Sequence, residues 1–213
     1  MQKYSIADKV FKLKRVSNLD DLVDQVSDEQ FNEDERLPYW AELWPSAIGL
    51  SRFLFKNKQL IAGKSILELG SGLGLTSLAI ASLNSKSFIV SDYEQNALDM
   101  LKENFLLNHL EFPEFKLLDW RNPTLNSFYD VIIASDILYE ERFFKPLQKL
   151  IDQYLSKKGM MIIAEPNRPI ARHFFVKLLK SGYHDKIANE IVNQDGHDIK
   201  ISIHLLEKAG NKK

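Results

Sequence analysis

The chain has 213 residues, 45% hydrophobic and 27% charged, enough for one domain with a sizeable core and too few for two. Lys and Arg number 28 against 29 Asp and Glu, so no overall positive field favours a nucleic-acid partner. The lack of cysteine excludes disulfides, thiolate metal sites and cysteine nucleophiles.

Residues Met1 to Val16 are polar and carry Lys3, Lys9, Lys12, Lys14 and Arg15, with no apolar stretch of the signal-peptide kind. No run approaches the ~18 apolar residues of a membrane span. A cytoplasmic location without a membrane partner is therefore expected. Asp28, Glu29, Glu33, Asp34 and Glu35 form an acidic cluster beyond a short helix expected at about 19–26. These charges read as solvated faces, or else as a substrate-facing arm. Residues 1–45 are expected to form an N-terminal extension that packs on or lids the core, and 46–213 the main domain.

From Lys64 the chain alternates strand and helix. Ser65 to Leu69 is a short apolar run ending in glycines, the pattern of a buried strand. Leu75, Leu78, Ala79 and Leu83 follow at helical spacing. Phe88 to Val90 is a second strand that stops at Asp92, and Ala97, Leu101 and Phe105 mark the next helix face. Glu114 to Leu118 is a weaker strand, and Asp130 to Ala134 a clear one. Phe143, Leu147, Leu150, Ile151 and Tyr154 give a helix with Pro146 near its first turn. Met160 to Ala164 is the fifth strand, and Phe174 to Leu179 belong to a helix stopped by Gly182.

The last segment breaks the alternation. Ile187 to Val192 reads as a strand, Asp195-Gly196 as a hairpin turn, and Ile199, Ile201, Ile203 and Leu205 alternate with mostly polar neighbours. Buried strands separated by helices imply an α/β fold, a doubly wound parallel sheet. The closing hairpin brings it to seven strands, mostly parallel.

Glu68-Leu69-Gly70-Ser71-Gly72-Leu73-Gly74 joins the first strand of this alternation to its helix, where such sheets bind ligands. A dinucleotide fingerprint needs a third glycine at position 75, which is Leu75. Glu68 would repel a phosphate but suits a cation, such as the ammonium and sulfonium of S-adenosyl-L-methionine. A strand–helix turn with a capping carboxylate is the plainer reading. Asp92 ends the next strand, placed to accept from ribose hydroxyls or to cap the helix near Gln95. Asp119-Trp120 follows the third strand, where an acid can meet an adenine amine and an indole can cover its ring or simply pack. Three successive strands thus each present an acid at or near the carboxyl end.

These residues, with Ser135-Asp136-Ile137-Leu138-Tyr139 and Pro38-Tyr39-Trp40-Ala41-Glu42-Leu43-Trp44-Pro45, resemble the seven-β-strand class I methyltransferases. More narrowly they resemble methyltransferase family 16, the lysine methyltransferase-like group. The likeness spans about residues 36–165. It implies a Rossmann-like sheet, S-adenosyl-L-methionine as methyl donor with S-adenosyl-L-homocysteine as product, and a protein substrate presenting a lysine. It also implies site roles. Trp44 lines the donor pocket; Gly70, Ser71, Gly72 and Gly74 wrap the methionine part with Glu68 beside it. Asp92 takes the ribose, Asp119 and Trp120 the adenine, and Ser135 lies beside the donor. Asp136 and Tyr139 face the acceptor as the catalytic pair. The segment after Trp44-Pro45 varies among members and does not fix the substrate. A small-molecule methyltransferase or a non-catalytic donor-binding module would share the donor residues.

Methyl transfer from a sulfonium is an in-line displacement with a neutral leaving group, so alignment dominates. The acceptor must be uncharged, whereas a free lysine has a pKa of about 10.4. Asp136 suits capture and orientation of the substrate cation, with Tyr139 fixing the approach; capping a helix near Glu140 and packing are their alternatives. Trp44, Tyr39 and Trp40 offer cation–π surfaces, although Trp40 also suits an anchor. Glu165 to Pro169 follows the fifth strand at the expected rim, and Asn167 there either touches substrate or caps a helix. His109, His173, His184, His197 and His204 lack metal-ligand spacing, and no metal is expected.

Overall fold

The computed structural model describes residues 1–16 and 38–209. The helix expected at 19–26 and the acidic cluster at 28–35 lie outside the described residues.

Strand β1 (Gln2–Ile6) and β2 (Lys9–Leu13) form an antiparallel hairpin by themselves. Residues 1–16, read as a solvated face, are therefore only half so. Lys3, Lys9 and Lys14 point outward, while Ile6, Phe11 and Leu13 are buried in the core. Helix α1 (Pro45–Lys56) follows, with Pro45 in its first turn, where a missing N–H costs nothing. The sequence reading has no helix here, yet α1 buries Leu50, Phe53, Leu54 and Phe55.

The alternation then runs β3 (Ser65–Leu69), α2 (Leu75–Ala81), β4 (Ser87–Asp92), α3 (Gln95–Leu107), β5 (Glu114–Leu117) and β6 (Tyr129–Ser135). It continues with α4 (Phe144–Tyr154), β7 (Leu155–Glu165), α5 (Ala171–Lys180), β8 (Tyr183–Gln194) and β9 (His197–Lys208). Seven strands form one sheet in the order β5-β4-β3-β6-β7-β9-β8. The pairs among β5, β4, β3, β6 and β7 are parallel, and β9 runs antiparallel to both β7 and β8. This is the expected mostly parallel sheet with a terminal hairpin. Asp195 and Gly196 turn that hairpin with φ of 52° and 81°, the left-handed pair a two-residue turn requires. The hairpin strands are longer than expected, at 12 residues each.

Side chains alternate across the sheet. Ile66, Val131, Ile133 and Ile162 face α1, α2 and the N-terminal hairpin; Leu67, Ile132, Met161 and Ile163 face α4 and α5. Two cores thus sandwich the sheet. Chain order reverses between β3 and β6, which opens a crevice at their carboxyl ends. Among the described residues no helix is long and apolar enough to cross a membrane.

The N-terminal hairpin is fastened by two amides, Asn108 directly after α3 and Asn104 within it. Asn108 Oδ1 accepts from Lys12 N at 2.8 Å, and its Nδ2 donates to Lys12 O at 2.7 Å. Asn104 Oδ1 accepts from Lys14 N at 2.6 Å, and its Nδ2 donates to Leu73 O at 2.9 Å. The second amide joins β2 to the glycine loop.

Candidate active site

The loop after β3 carries Gly70, Gly72 and Gly74 at φ of 66°, 51° and 86°. Side chains rarely adopt this region, and Gly74 shows a second reason for glycine. A Cβ there would lie 1.8 Å from Leu101 Cδ1 on the buried face of α3. Gly72 lies beneath the Trp40 carbonyl, 3.3 Å from where its Cβ would stand. The 38–45 segment therefore roofs the loop.

Asp92, at the end of β4, pins the loop from below. Its Oδ2 accepts from Gly72 N at 2.9 Å and its Oδ1 from Glu94 N at 3.0 Å. Burial raises its pKa, opposed by the backbone N–H donors of Glu94, Gly72 and Tyr93. It lines the crevice with Gly70, Ser71, Tyr93, Trp120 and Ser135.

Two expected donor residues do not line this crevice directly. Glu68 is 2% exposed and outside the crevice lining; its Oε2 accepts from Ser77 Oγ at 2.6 Å, behind the loop. The pleat of β3 sends Glu68 to the α2 face with Ile66, not toward the strand ends. Burial pushes its carboxyl up to about 8, and it meets Ser77 rather than the crevice. Asp119 turns to Arg121, whose Nε donates to both carboxylate oxygens at 2.9 Å. It lines a side recess with Tyr93, Leu118, Trp120, Tyr139 and Phe143. Trp120 belongs to both spaces and meets Phe143 edge-on at 6.0 Å.

The other end of the crevice is aromatic and acidic. Tyr39, Trp44, Asp136, Tyr139, Glu140 and Arg168 enclose it. Tyr39 and Tyr139 meet edge to face at 5.3 Å, and Trp44 Nε1 donates to the Tyr39 carbonyl at 3.0 Å. Asp136, just past β6, is left-handed with φ 61°, and its N–H donates to Ala164 O at 2.9 Å. This backbone turn aims its side chain into the pocket, where it pairs with Arg168. The guanidinium of Arg168 also stands over the Trp44 ring at 5.8 Å. Asp136 caps no helix: the chain re-enters helix as a 3-10 turn, Glu141–Phe143, before α4. Desolvation raises the Tyr139 phenol above its ordinary value, aided by Glu140 and Asp92. The phenol therefore keeps its proton throughout the neutral range.

Asn167 is turned away. Its Nδ2 donates to Lys200 O at 2.9 Å and its Oδ1 accepts from Ser202 Oγ at 2.7 Å, so it ties the loop to β9. It neither lines the pocket nor caps α5, which starts at Ala171. Its neighbour Arg168 lines the pocket instead. The stretch expected at the rim thus reaches the pocket through Arg168, while Asn167 faces β9. Tyr93, Glu140 and Arg142 also line the crevice without having been singled out; Tyr93 directly follows Asp92, the one signal available.

The sequence profile of a family described as lysine methyltransferase matches residues 24–182. The electron transfer flavoprotein β subunit lysine methyltransferase homolog of Caenorhabditis elegans is 29% identical over 68% of this chain and 66% of its own length. The electron transfer flavoprotein β subunit lysine methyltransferase of Mus musculus is 32% identical over 62% of this chain and 52% of its own. The chain thus spans about half to two thirds of the length of these relatives. The ribosomal protein L11 methylase of Lactobacillus delbrueckii subsp. bulgaricus has a matching fold, with TM-score 0.59 and 17% identity over 75% of this chain and 77% of that one.

Proposed function

Because the chain belongs to the lysine methyltransferase family, we propose that it moves a methyl group from S-adenosyl-L-methionine to a lysine side chain of a protein. The observation that carries this reading is one crevice that runs from a glycine cradle with a buried carboxylate into an aromatic and acidic pocket, with Tyr39, Trp44, Asp136, Tyr139 and Glu140 lining both.

The residues present fit the donor. The glycine loop leaves backbone exposed along the crevice, and Asp92 lines it with both oxygens already oriented by backbone donors. In this reading Asp92 takes the ribose hydroxyls, Trp120 covers the adenine, and Gly70, Ser71, Gly72 and Ser135 surround the methionine part. When bound, S-adenosyl-L-methionine supplies a methyl group on a sulfonium sulfur.

The acceptor half must then deliver a neutral amine in line. Tyr39, Trp44 and Tyr139 form a partly apolar wall that suits the alkyl stem of a lysine. The pocket would receive a lysine that has left its proton to water, with its lone pair turned toward the glycine end, where the bound donor would supply the methyl group. Asp136 orients the amine. Tyr139, held protonated, positions it by hydrogen bonding and takes no proton from it. Residues 38–45 close the crevice from above, as the Trp40 carbonyl over Gly72 supports.

The test is to incubate the protein with a host lysate and methyl-labelled S-adenosyl-L-methionine, then locate the label by mass spectrometry. Label on a protein lysine is expected. Label confined to small metabolites, or none in any fraction with the donor still bound, contradicts the proposal.

A further inference from the structure

A carboxylate beside an amine favours the ammonium, the form that cannot accept a methyl group. The pocket holds two such carboxylates, Asp136 and Glu140, which line it together with Tyr139. Each has its own arginine. Arg168 pairs with Asp136, and Arg142 Nε donates to Glu140 Oε2 at 2.5 Å. The first pair is the more enclosed, with side-chain exposures of 3% for Asp136 and 28% for Arg168. Resting on the lysine reading above, we infer that Arg168 is a charge-balancing positioning residue, which cancels the field of Asp136 at the acceptor seat so that the lysine binds as free amine.

The surroundings hold Arg168 in place. Its backbone N–H donates to Glu165 Oε2 at 2.8 Å, and Trp44 covers its guanidinium. Glu165 stands 4.0 Å from His204 Nε2, and His204 Nδ1 lies 2.7 Å from Asp185. The groups facing the pair are thus Glu165, His204 and Asp185 behind it, and Glu140 and Tyr139 across the pocket. The second oxygen of Asp136 is buried with no hydrogen-bond partner, so Arg168 carries the compensation of this carboxylate. A guanidinium suits the task because it stays charged wherever the amine titrates.

The experiment follows kcat against pH for methylation of a lysine-bearing protein substrate, because kcat reports groups titrating in the bound complex. Wild type, Arg168→Lys and Arg168→Gln are compared, with folding checked by circular dichroism. Arg168→Gln should move the acid limb to higher pH by one unit or more, lowering kcat at pH 7.5 by roughly 10- to 100-fold. By pH 10 the deficit should shrink to about threefold. Arg168→Lys should keep the limb in place. A fall of equal size at every pH, with an unmoved limb, overturns the inference and leaves the lysine reading standing. If Arg168→Gln does not fold, Asp136→Asn with Arg168→Gln serves, since a neutral pair also sets no field. Its limb should coincide with that of the wild type whatever its maximal rate, and a limb displaced to lower pH, the sign of an Asp136 field that Arg168 had left uncancelled, overturns the inference. Wild-type label found on something other than lysine is seen before any variant is made and removes both readings together.

Discussion

Asp92 Oδ2 accepts the Gly72 N–H at 2.9 Å, so the acid at the end of β4 holds the turn at the end of β3. One carboxylate therefore fixes the cradle's shape and faces the crevice. Asp92→Ala is expected to weaken binding of S-adenosyl-L-homocysteine by about 10- to 100-fold, the loss typical of hydrogen bonds to a charged group. Titration calorimetry measures this. An unchanged affinity contradicts the assignment of Asp92 to the ribose.

Gly74 and Gly182 share a left-handed backbone, with φ of 86° and 85°, but a Cβ at Gly182 meets nothing within 4 Å. Substitution at Gly182 thus measures backbone strain alone, whereas Gly74→Ala also drives a methyl into Leu101. Gly74→Ala should destabilise the fold by about 1–3 kcal/mol more than Gly182→Ala, the usual cost of overpacking a core. Urea unfolding of both variants decides it; equal losses would mean that Leu101 yields freely.

Glu68 gives a pH signature. Its carboxyl is raised to about 8 by burial, against 4.5 in a free chain. The folded state holds the proton in this window and the unfolded state does not, so stability falls as pH rises from about 4.5 to about 8. Glu68→Gln removes the titration and keeps a partner for Ser77. Melting temperatures of wild type and Glu68→Gln should diverge over that window, with the variant increasingly ahead. Parallel curves would show that Glu68 is ionised in the fold.

Asn104 is fully buried and joins Lys14 of the hairpin to Leu73 of the glycine loop. Asn104→Ala strands both backbone groups and should cost about 1–3 kcal/mol for each one left without a partner. It should also loosen the cradle, so donor affinity falls with stability. Calorimetry and denaturation on the same sample test the link; lost stability with unchanged affinity would break it.

The parallel sheet was legible because each strand is a short apolar run stopped by glycine or aspartate, and Asp195-Gly196 announces the closing turn. The N-terminal hairpin was not. Its lysines dominate the composition, and its inward residues are only Ile6, Phe11 and Leu13. What anchors it is a pair of amides about 90 positions away, on α3 and directly after it. At the site, residue types were readable and directions were not. Asp136 and Asn167 are both left-handed, yet one points into the pocket and the other at β9. Glu68 stands two residues before the glycines, but the strand's pleat buries it beside Ser77, a direction that spacing alone does not give.

The central claim is that the crevice has separable donor and acceptor halves, with Asp136 serving only the second. Asp136→Ala, measured by calorimetry with S-adenosyl-L-methionine alongside lysine methylation, tests it most directly. Donor affinity should stay within about threefold of wild type while transfer falls by about 100-fold, the order expected when a reacting group is misplaced. Equal losses of binding and transfer, or full transfer without Asp136, would contradict it.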